Sequence, residues 1–417
     1  MRFLRKVRYR VPVRRHEEYS LGTMGAIVRA PRPLIRPYMP ELDSIRGIAV
    51  LMVLFLHGVA WPLNAALSRP GRWLLSISQH GGAGVNLFFV LSGFLITGIL
   101  LDGKSKTDYY RRFYTRRALR ILPALCATLL VLFIGGWINW RFALVSLAFL
   151  ANTAPFLGVP LQYGPLWSLA VEEHFYMLWP TLVRRFSSTW QLILLVGIIL
   201  FSPVLRAIAF AHLGGPYGGR PLYTWFNLDG LALGAILAIW LRHPSFRRVH
   251  LSRVALPIFM TGVTLYAWSV GRPQATAAFA DTACAVASVG FLSCMLLVGT
   301  SNWSALVDIP ILKFLGVISY GLYLIHVLAF RITEILLSHF PMLVAAEKPT
   351  LAMLLRFVGG SSLAIAAAVI SRRSLEEHFL RRGRDHRPGF PISSKVERRY
   401  PYAGTPRQFP ADQVQAS

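Results

Sequence analysis

Long apolar segments separated by short polar ones dominate the chain from about residue 45 to residue 371. Most of these segments last about 17 to 25 residues, which is the length that an α-helix needs to cross a bilayer. The predicted spans lie near 45–62, 85–101, 121–137, 189–211, 226–241, 254–271, 277–299, 314–337 and 350–371, with two further apolar pieces at 142–158 and 165–183. The pattern therefore predicts an all-α fold, a polytopic bundle of membrane helices.

Composition and charge agree with a membrane protein. The chain is 54% hydrophobic and 15% charged, with a mean hydropathy of +0.50, whereas a soluble chain of this size would carry more charge. The net charge of +26 could indicate a nucleic-acid partner. However, most of the 44 lysines and arginines lie in segments that would share one side of the membrane, as the positive-inside rule describes. We therefore expect a lipid bilayer and no nucleic acid as a partner.

The charge pattern also bears on the two apolar pieces at 142–158 and 165–183. If both crossed the membrane, Arg184, Arg185 and every later basic loop would lie outside. We therefore predict that one piece is re-entrant or broken, and favour the one at 165–183. Irregular backbone at membrane depth is tolerated only where it lines a protected cavity.

This topology has about ten net crossings, plus the re-entrant or broken segment, with both termini cytoplasmic. Residues 1–40 are predicted to form a basic cytoplasmic tail, and residues 41–372 the membrane domain. Residues 373–417 are basic, proline-containing and without an apolar run, so we expect a second, disordered cytoplasmic tail.

Arg46 and His57 share one face of the first predicted helix. They are eleven positions apart, which at about 100° per residue is only about 20° beyond three full turns. At about 1.5 Å per residue they lie about 16 Å apart, near half of a hydrocarbon core of about 30 Å. Arg46 alone is typical of a cytoplasmic anchor, and His57 alone could be a structural hydrogen-bonding group. Because ionisable groups inside a membrane are costly, their shared face favours a functional site.

The polar loop 102–120, DGKSKTDYYRRFYTRRALR, carries seven basic residues. The positive-inside rule explains their charge but not why five of them are arginines. Arginine binds phosphate through two parallel hydrogen bonds and stacks on flat rings. The loop therefore predicts a phosphorylated cytoplasmic ligand. Its arginines are Arg111, Arg112, Arg116, Arg117 and Arg120, with Tyr109, Tyr110 and Tyr114 between or before them.

Two carboxylates and an imidazole, Glu172, Glu173 and His174, stand side by side in the apolar sequence GPLWSLAVEEHFYMLWP. A carboxylate can orient an imidazole and offset the charge that it gains as a base. Glu172 and Tyr176 are an i, i+4 pair and share a helical face. Glu172 is thus favoured as the inward carboxylate, with Glu173 left open as the alternative.

Tyr320, Tyr323 and His326 occur at helical spacing in SYGLYLIHVLAF, a pattern that is more often packing than ligand binding. The three cysteines all lie in apolar segments, where they indicate neither a disulfide framework nor a metal site. We expect no metal.

Five segments together resemble the acyltransferase-3 family of integral membrane acyltransferases, from about residue 40 to 372. They are ELDSIRGIAVLMVLFLH, GVNLFFVLSGFLIT, FYTRRALRILPAL, PLWSLAVEEHFYMLWP and SYGLYLIHVLAF, in the order of the family's motifs. His174 departs from the glutamine common at its position in the family. The polar C-terminal segment shows no sign of the extracytoplasmic hydrolase-like domain that some relatives carry.

The resemblance implies an enzyme of the cell inner (plasma) membrane. Such an enzyme takes an acyl group, most often acetyl, from cytoplasmic acyl-CoA and passes it to a hydroxyl of a carbohydrate or glycolipid acceptor. It also implies that His57 is the essential catalytic residue and that the family's R-x-x-R arginines are Arg117 and Arg120. Lipopolysaccharide, exopolysaccharide and smaller acceptors remain open, as does succinyl in place of acetyl.

Together the residues and the resemblance predict a site with three parts. His57 is expected to act as general base or transient acyl carrier, oriented by Glu172 or Glu173. Residues expected to bind the acyl-CoA are Arg46, Arg116, Arg117, Arg120 and Tyr114. Residues expected to bind the acceptor are Trp167, Ser168, Tyr176, Tyr323 and His326. Two other classes are weighed against this enzyme: a polytopic transporter of a small anionic or glycan-related solute, and a lipid-binding structural or sensory protein.

Overall fold

The computed structural model describes residues 33–36, 38–59, 67–213, 222–340 and 349–379. In this part of the chain the regular structure is helical, without strands. The helices are α1 (Pro40–Val59), α2 (Arg69–Ser78), α3 (Ala83–Gly103), α4 (Tyr109–Ile134), α5 (Trp140–Leu147), α6 (Leu166–Arg185), α7 (Ser188–Leu213), α8 (Asp229–Leu241), α9 (Arg248–Ser269), α10 (Pro273–Gly299), α11 (Pro310–Ser338) and α12 (Pro349–Ser371). Most of both predicted basic tails, 1–40 and 373–417, lies outside the described residues.

Eight helical segments among the described residues are long and apolar enough to cross a membrane. They include every helix above except α5, α6 and α8, with α2 and α3 counted as one segment. α8 has 13 residues, a length of about 20 Å. α6 has 20 residues but carries Glu172 and Glu173. The predicted all-helical membrane bundle is confirmed, whereas the ten crossings and the cytoplasmic termini stay predictions.

The broken piece of the chain is 142–158, so our preference for a break at 165–183 was wrong, whereas a re-entrant course of 165–183 stays a prediction. α5 has only eight residues, and irregular backbone with a short 3-10 turn connects it to α6. Phe149 and Gly158 have φ of 58° and 66°, a left-handed conformation that stops a helix. α6, by contrast, is one continuous helix that includes Pro180. The backbone conformation at Phe149, which no residue pattern signals, determines that the break lies in 142–158 and not in 165–183.

α1 begins at Pro40 and is described as far as Val59, so His57 lies in its last described turn. The sequence placed His57 in the interior of a helix over 45–62. Proline is favoured at the first position of a helix, and Glu41 and Asp43 in the first turn complement the positive end of the helix dipole. These signals explain why α1 starts at Pro40, before the predicted start of the span near residue 45.

α1 packs closely along α11, and glycines make the approach possible. A Cβ atom added at Gly47 would fall on the backbone carbonyl of Leu312, and one at Gly316 on the carbonyl of Asp43. Buried apolar side chains of α1, α11 and α12 form a common core further along. This contact fixes the side chains of α1 against those of α11, which is the basis of the site described below.

A buried ion pair joins three other helices. Arg206 of α7 and Asp229 at the start of α8 are 2% and 1% exposed, and Nη2 of the arginine lies 3.0 Å from Oδ2 of the carboxylate. Thr282 of α10 donates a further hydrogen bond to the same carboxylate oxygen at 2.6 Å. All of these groups are satisfied by each other, which supports a structural role for this pair.

Candidate active site

His57 lies against His326 of α11. Nδ1 of His57 is 3.3 Å from Nε2 of His326 and 3.0 Å from the carbonyl oxygen of Val53, one turn earlier in α1. The two ring centroids are 4.9 Å apart. Nδ1 of His326 is in turn 2.7 Å from the carbonyl oxygen of Tyr323. Two residues that are 269 positions apart in the chain thus form one hydrogen-bonded pair.

Arg356 of α12 binds the last described turn of α1, which carries His57. Its Nη1 donates hydrogen bonds to the carbonyl oxygens of His57 and Gly58, at 2.9 and 2.7 Å. These two carbonyls lie in the last described turn of α1, and a cation near the C-terminal part of a helix complements the helix dipole. The sequence analysis missed this residue, although an arginine inside the predicted span 350–371 was a signal for it.

An open cavity with about 850 Å³ of empty space lies between α1, α3, α4, α6 and α11. Three of the residues predicted to bind acyl-CoA line it: Arg46, Arg117 and Arg120. Arg46 is paired with Asp43 at 2.9 Å, and the guanidinium of Arg117 lies 4.7 Å from the ring centroid of Tyr176. Arg120 has no hydrogen bond or ion pair with the described residues. The cavity thus presents three cations, of which Arg120 is the least compensated.

Glu172 is the one carboxylate among the described residues that line the cavity. Its Oε1 accepts a hydrogen bond from the hydroxyl of Ser92, and its Oε2 accepts one from the hydroxyl of Tyr176, both at 2.9 Å. The inward orientation that the i, i+4 spacing indicated is therefore present. These bonds do not reach His57, whose ring contacts His326 instead. Within the described residues, the predicted orienting contact between the carboxylate and His57 is not formed.

The three polar residues 172–174 point in different directions, as successive residues of a helix must. Glu173 is 8% exposed, and its Oε1 is buried without a hydrogen-bond partner among the described residues. Nδ1 of His174 lies 2.5 Å from the hydroxyl of Thr224, in the short turn before α8. Neither side chain lines the cavity.

Ser168 and Tyr323 connect the cavity to the histidine pair. Both residues line the cavity, and their hydroxyl oxygens are 2.5 Å apart. The backbone carbonyl of Tyr323 is the partner of His326, whose ring centroid is 5.6 Å from that of the tyrosine. Neither His57 nor His326 lines the cavity, so Tyr323 is the lining residue that contacts the histidine pair.

The other predicted residues lie outside the cavity lining. Trp167 packs edge-on against Phe89, with ring centroids 6.1 Å apart. The hydroxyl of Tyr114 donates a hydrogen bond to the carbonyl of Met177 at 2.9 Å. Arg116 is exposed on α4. The structure therefore groups Arg46, Arg117 and Arg120 but not Tyr114 and Arg116.

Three polar residues that the sequence analysis did not assign to the site also line the cavity: Ser92, Ser319 and Tyr320. Ser92 lies in the second predicted span and holds Glu172. The hydroxyl of Tyr320 donates a hydrogen bond to the carbonyl of Ile121, just beyond Arg120. Ser319 and Tyr320 lie within about one helical turn of Tyr323 on α11, which was the signal available for them, whereas no predicted site residue lies near Ser92 on α3.

Comparisons with known proteins identify a family model and several relatives that are similar to this chain. A family model described as an acyltransferase domain matches residues 39–373. The chain is 29% identical over 232 residues to the peptidoglycan O-acetyltransferase OatA of Listeria monocytogenes, which covers 48% of this chain and 34% of that protein. It is 31% identical over 232 residues to a Bacillus subtilis protein named "Putative peptidoglycan O-acetyltransferase YrhL", over 48% of this chain and 33% of that one.

A longer match is to a Staphylococcus aureus protein named "Putative O-acetyltransferase", at 26% identity over 376 residues. That match covers 83% of this chain and 58% of the relative. The chain therefore spans between a third and about three fifths of the length of these relatives. No solved structure matches the chain.

Proposed function

Because this chain belongs to the acyltransferase domain family, we propose that it is a membrane O-acyltransferase that uses cytoplasmic acyl-CoA, most often acetyl-CoA, as donor. The acceptor is a hydroxyl of a carbohydrate in the cell envelope. Two relatives are named for O-acetylation of peptidoglycan, a glycan polymer, which supports this class of acceptor. The membrane is the inner (plasma) membrane, and Arg46 marks its cytoplasmic side.

The observation that carries the proposal is the arginine-lined cavity that adjoins the histidine pair. Coenzyme A carries three phosphate groups and an adenine ring, and arginine binds phosphates bidentately and stacks on flat rings. In the proposed arrangement Arg46, Arg117 and Arg120 bind the phosphates. The thioester arm passes Tyr323 and Ser168 toward His57. No metal is required by this scheme.

With His57 as general base, each bond and proton of the transfer reaction is accounted for. The imidazole takes the proton of the acceptor hydroxyl while the hydroxyl oxygen forms a bond to the thioester carbonyl carbon. The carbon–sulfur bond then breaks, and the thiolate leaves as the thiol after it takes the proton from the imidazolium. A positioned general base contributes roughly 10²- to 10⁴-fold to a rate. In the alternative scheme, His57 carries the acyl group between donor and acceptor.

Glu172 has a different role in this proposal from the one that the sequence suggested. Its carboxylate fixes the hydroxyl of Tyr176, and the Tyr176 ring supports the guanidinium of Arg117. Glu172 therefore shapes the donor cavity. His326, which contacts His57 directly, takes over the orienting position.

Purified protein in liposomes, supplied with radiolabelled acetyl-CoA and envelope glycan from cells that lack the protein, tests the proposal. We expect release of coenzyme A in proportion to label on the glycan. A transporter would instead move its solute across the bilayer without releasing coenzyme A. Absence of both coenzyme A release and labelled glycan, with protein that still binds coenzyme A, would contradict the proposed activity.

A further inference from the structure

We propose that His326 is a positioning residue that holds His57 in the tautomer with its proton on Nδ1, so that Nε2 of His57 is the reacting nitrogen. The inference rests on the proposed function for its chemical meaning. The assignment of the tautomer itself rests only on hydrogen-bond geometry. It applies whether His57 acts as a base or as an acyl carrier.

The first step is the tautomer of His326. Its Nδ1 lies 2.7 Å from the carbonyl oxygen of Tyr323, which can only accept a hydrogen bond. Nδ1 of His326 therefore carries a proton. The side chain is 1% exposed, and no carboxylate among the described residues contacts either histidine ring. A buried imidazole without a counter-charge is neutral, so Nε2 of His326 carries a lone pair.

The second step follows at His57. Its Nδ1 faces two acceptors, the lone pair on Nε2 of His326 at 3.3 Å and the carbonyl oxygen of Val53 at 3.0 Å. A nitrogen between two acceptors is a donor, since the other tautomer would bring lone pairs against each other. The Nδ1 proton is shared between the two acceptors. Nε2 of neutral His57 therefore carries the lone pair.

The third step concerns access to that lone pair. Nε2 of His57 makes no hydrogen bond with the described residues, and the side chain is only partly buried, unlike His326. Arg356 binds the backbone carbonyls of His57 and Gly58, so the backbone that carries the His57 ring is held against α12. The buried partner is thus fixed, and the accessible nitrogen of His57 is the basic one.

The pairing also has a consequence for the reaction. When Nε2 of His57 takes the hydroxyl proton, the His57 imidazolium keeps its Nδ1 proton, which it donates to Nε2 of His326. This hydrogen bond then becomes charge-assisted and stronger. In the carrier scheme, Nε2 bonds to the acyl carbon, the carbon–sulfur bond breaks and its electron pair leaves on sulfur. The Nδ1 proton then moves to Nε2 of His326, which leaves a neutral acylimidazole. Both schemes need the acceptor nitrogen of His326.

Steady-state kinetics of three variants test the positioning role. His326→Leu removes the acceptor nitrogen, and we expect kcat to fall about ten- to a hundredfold, with KM for acetyl-CoA within twofold of wild type. His326→Gln keeps an acceptor oxygen near the position of Nε2, and we expect kcat within about fivefold of wild type. His339→Leu is the matched control, since His339 is an exposed histidine at the end of the same helix whose Nδ1 also contacts a backbone carbonyl. It should leave kcat unchanged.

The role of His326 is refuted if His326→Leu keeps kcat within twofold, or if His326→Gln loses as much activity as His326→Leu. A purely structural role would lower kcat in both variants alike, or would change KM.

Nitrogen-15 magnetic resonance of histidine-labelled wild-type protein decides the tautomer without relying on any variant of His326. The His57 signals are identified by their loss in His57→Gln. We expect a protonated Nδ1 and a bare Nε2, and the reverse assignment overturns the inference. This readout needs no acyl transfer. If the wild-type protein fails to acylate any glycan, the proposed function falls while the spectrum still reports on the histidine pair.

Discussion

Replacing Arg120 by methionine removes the cation of the cavity that has no hydrogen bond or ion pair with the described residues. Hydrogen bonds to charged groups contribute about 1.5–3 kcal/mol each. Because about 1.4 kcal/mol corresponds to a tenfold change in affinity, Arg120→Met should weaken coenzyme A binding about ten- to a hundredfold. Arg120→Lys keeps the charge but loses the two-pronged geometry, so we expect an intermediate loss.

The same substitution should not destabilise the free protein. Arg120 shares the cavity with Arg46 and Arg117, and a partly buried cation without a partner costs free energy on folding. We therefore expect the Tm of Arg120→Met without ligand to equal or exceed that of wild type. A functional residue that is unfavourable for stability is common where a protein binds a charged ligand.

Isothermal titration of purified protein with coenzyme A, together with thermal unfolding, measures both quantities. Arg111→Met is the matched control, because Arg111 is an exposed arginine on the same helix that does not line the cavity. Wild-type affinity in Arg120→Met would refute the assignment of the cavity to the donor. An equal loss in Arg111→Met would attribute binding to the general positive charge of the loop.

Three further substitutions test other parts of the structure. Glu172→Gln removes the one negative charge among the described cavity-lining residues. Because repulsion between this carboxylate and a phosphate is worth ~1 kcal/mol, titration should show about fivefold tighter coenzyme A binding. Weaker binding would contradict this. Gly47→Ala places a methyl group on a backbone carbonyl of α11, whereas Gly197→Ala meets open space. Thermal unfolding should show a loss of about 1–3 kcal/mol for Gly47→Ala and none for Gly197→Ala, and equal effects would contradict the close packing. Arg206→Met leaves Asp229 buried and unpaired and should cost about 3–5 kcal/mol of stability by the same assay, part of which Asp229→Asn in the same protein should restore; no loss in Arg206→Met would contradict the buried pair.

Much of the fold could be predicted because membrane helices depend on local properties of the sequence. Apolar length alone located most of the helices, and the placement of arginines indicated that one of the pieces 142–158 and 165–183 is irregular, although it favoured the wrong one for the break. Its location depended on Phe149, whose positive φ has no residue signature.

The side-chain contacts of the candidate site were predicted correctly within one helix and missed where they join His57 to other helices. The spacing of Glu172 and Tyr176 correctly indicated a common face, because helical geometry determines it. The contacts of His57 with His326 and Arg356 join α1 to α11 and α12, and no spacing rule applies across separate helices. A carboxylate was therefore expected as the partner of His57, where the structure has a second imidazole.

The most direct test of the account compares wild type and His57→Gln in liposomes with radiolabelled acetyl-CoA and acceptor glycan. His57 does not line the donor cavity, so the variant should bind coenzyme A with wild-type affinity. Transfer of label to the glycan should fall at least 10²-fold, the lower end of what a positioned general base contributes. Label transfer at the wild-type rate by His57→Gln would contradict the central claim that the acyl group reaches the acceptor through chemistry at His57.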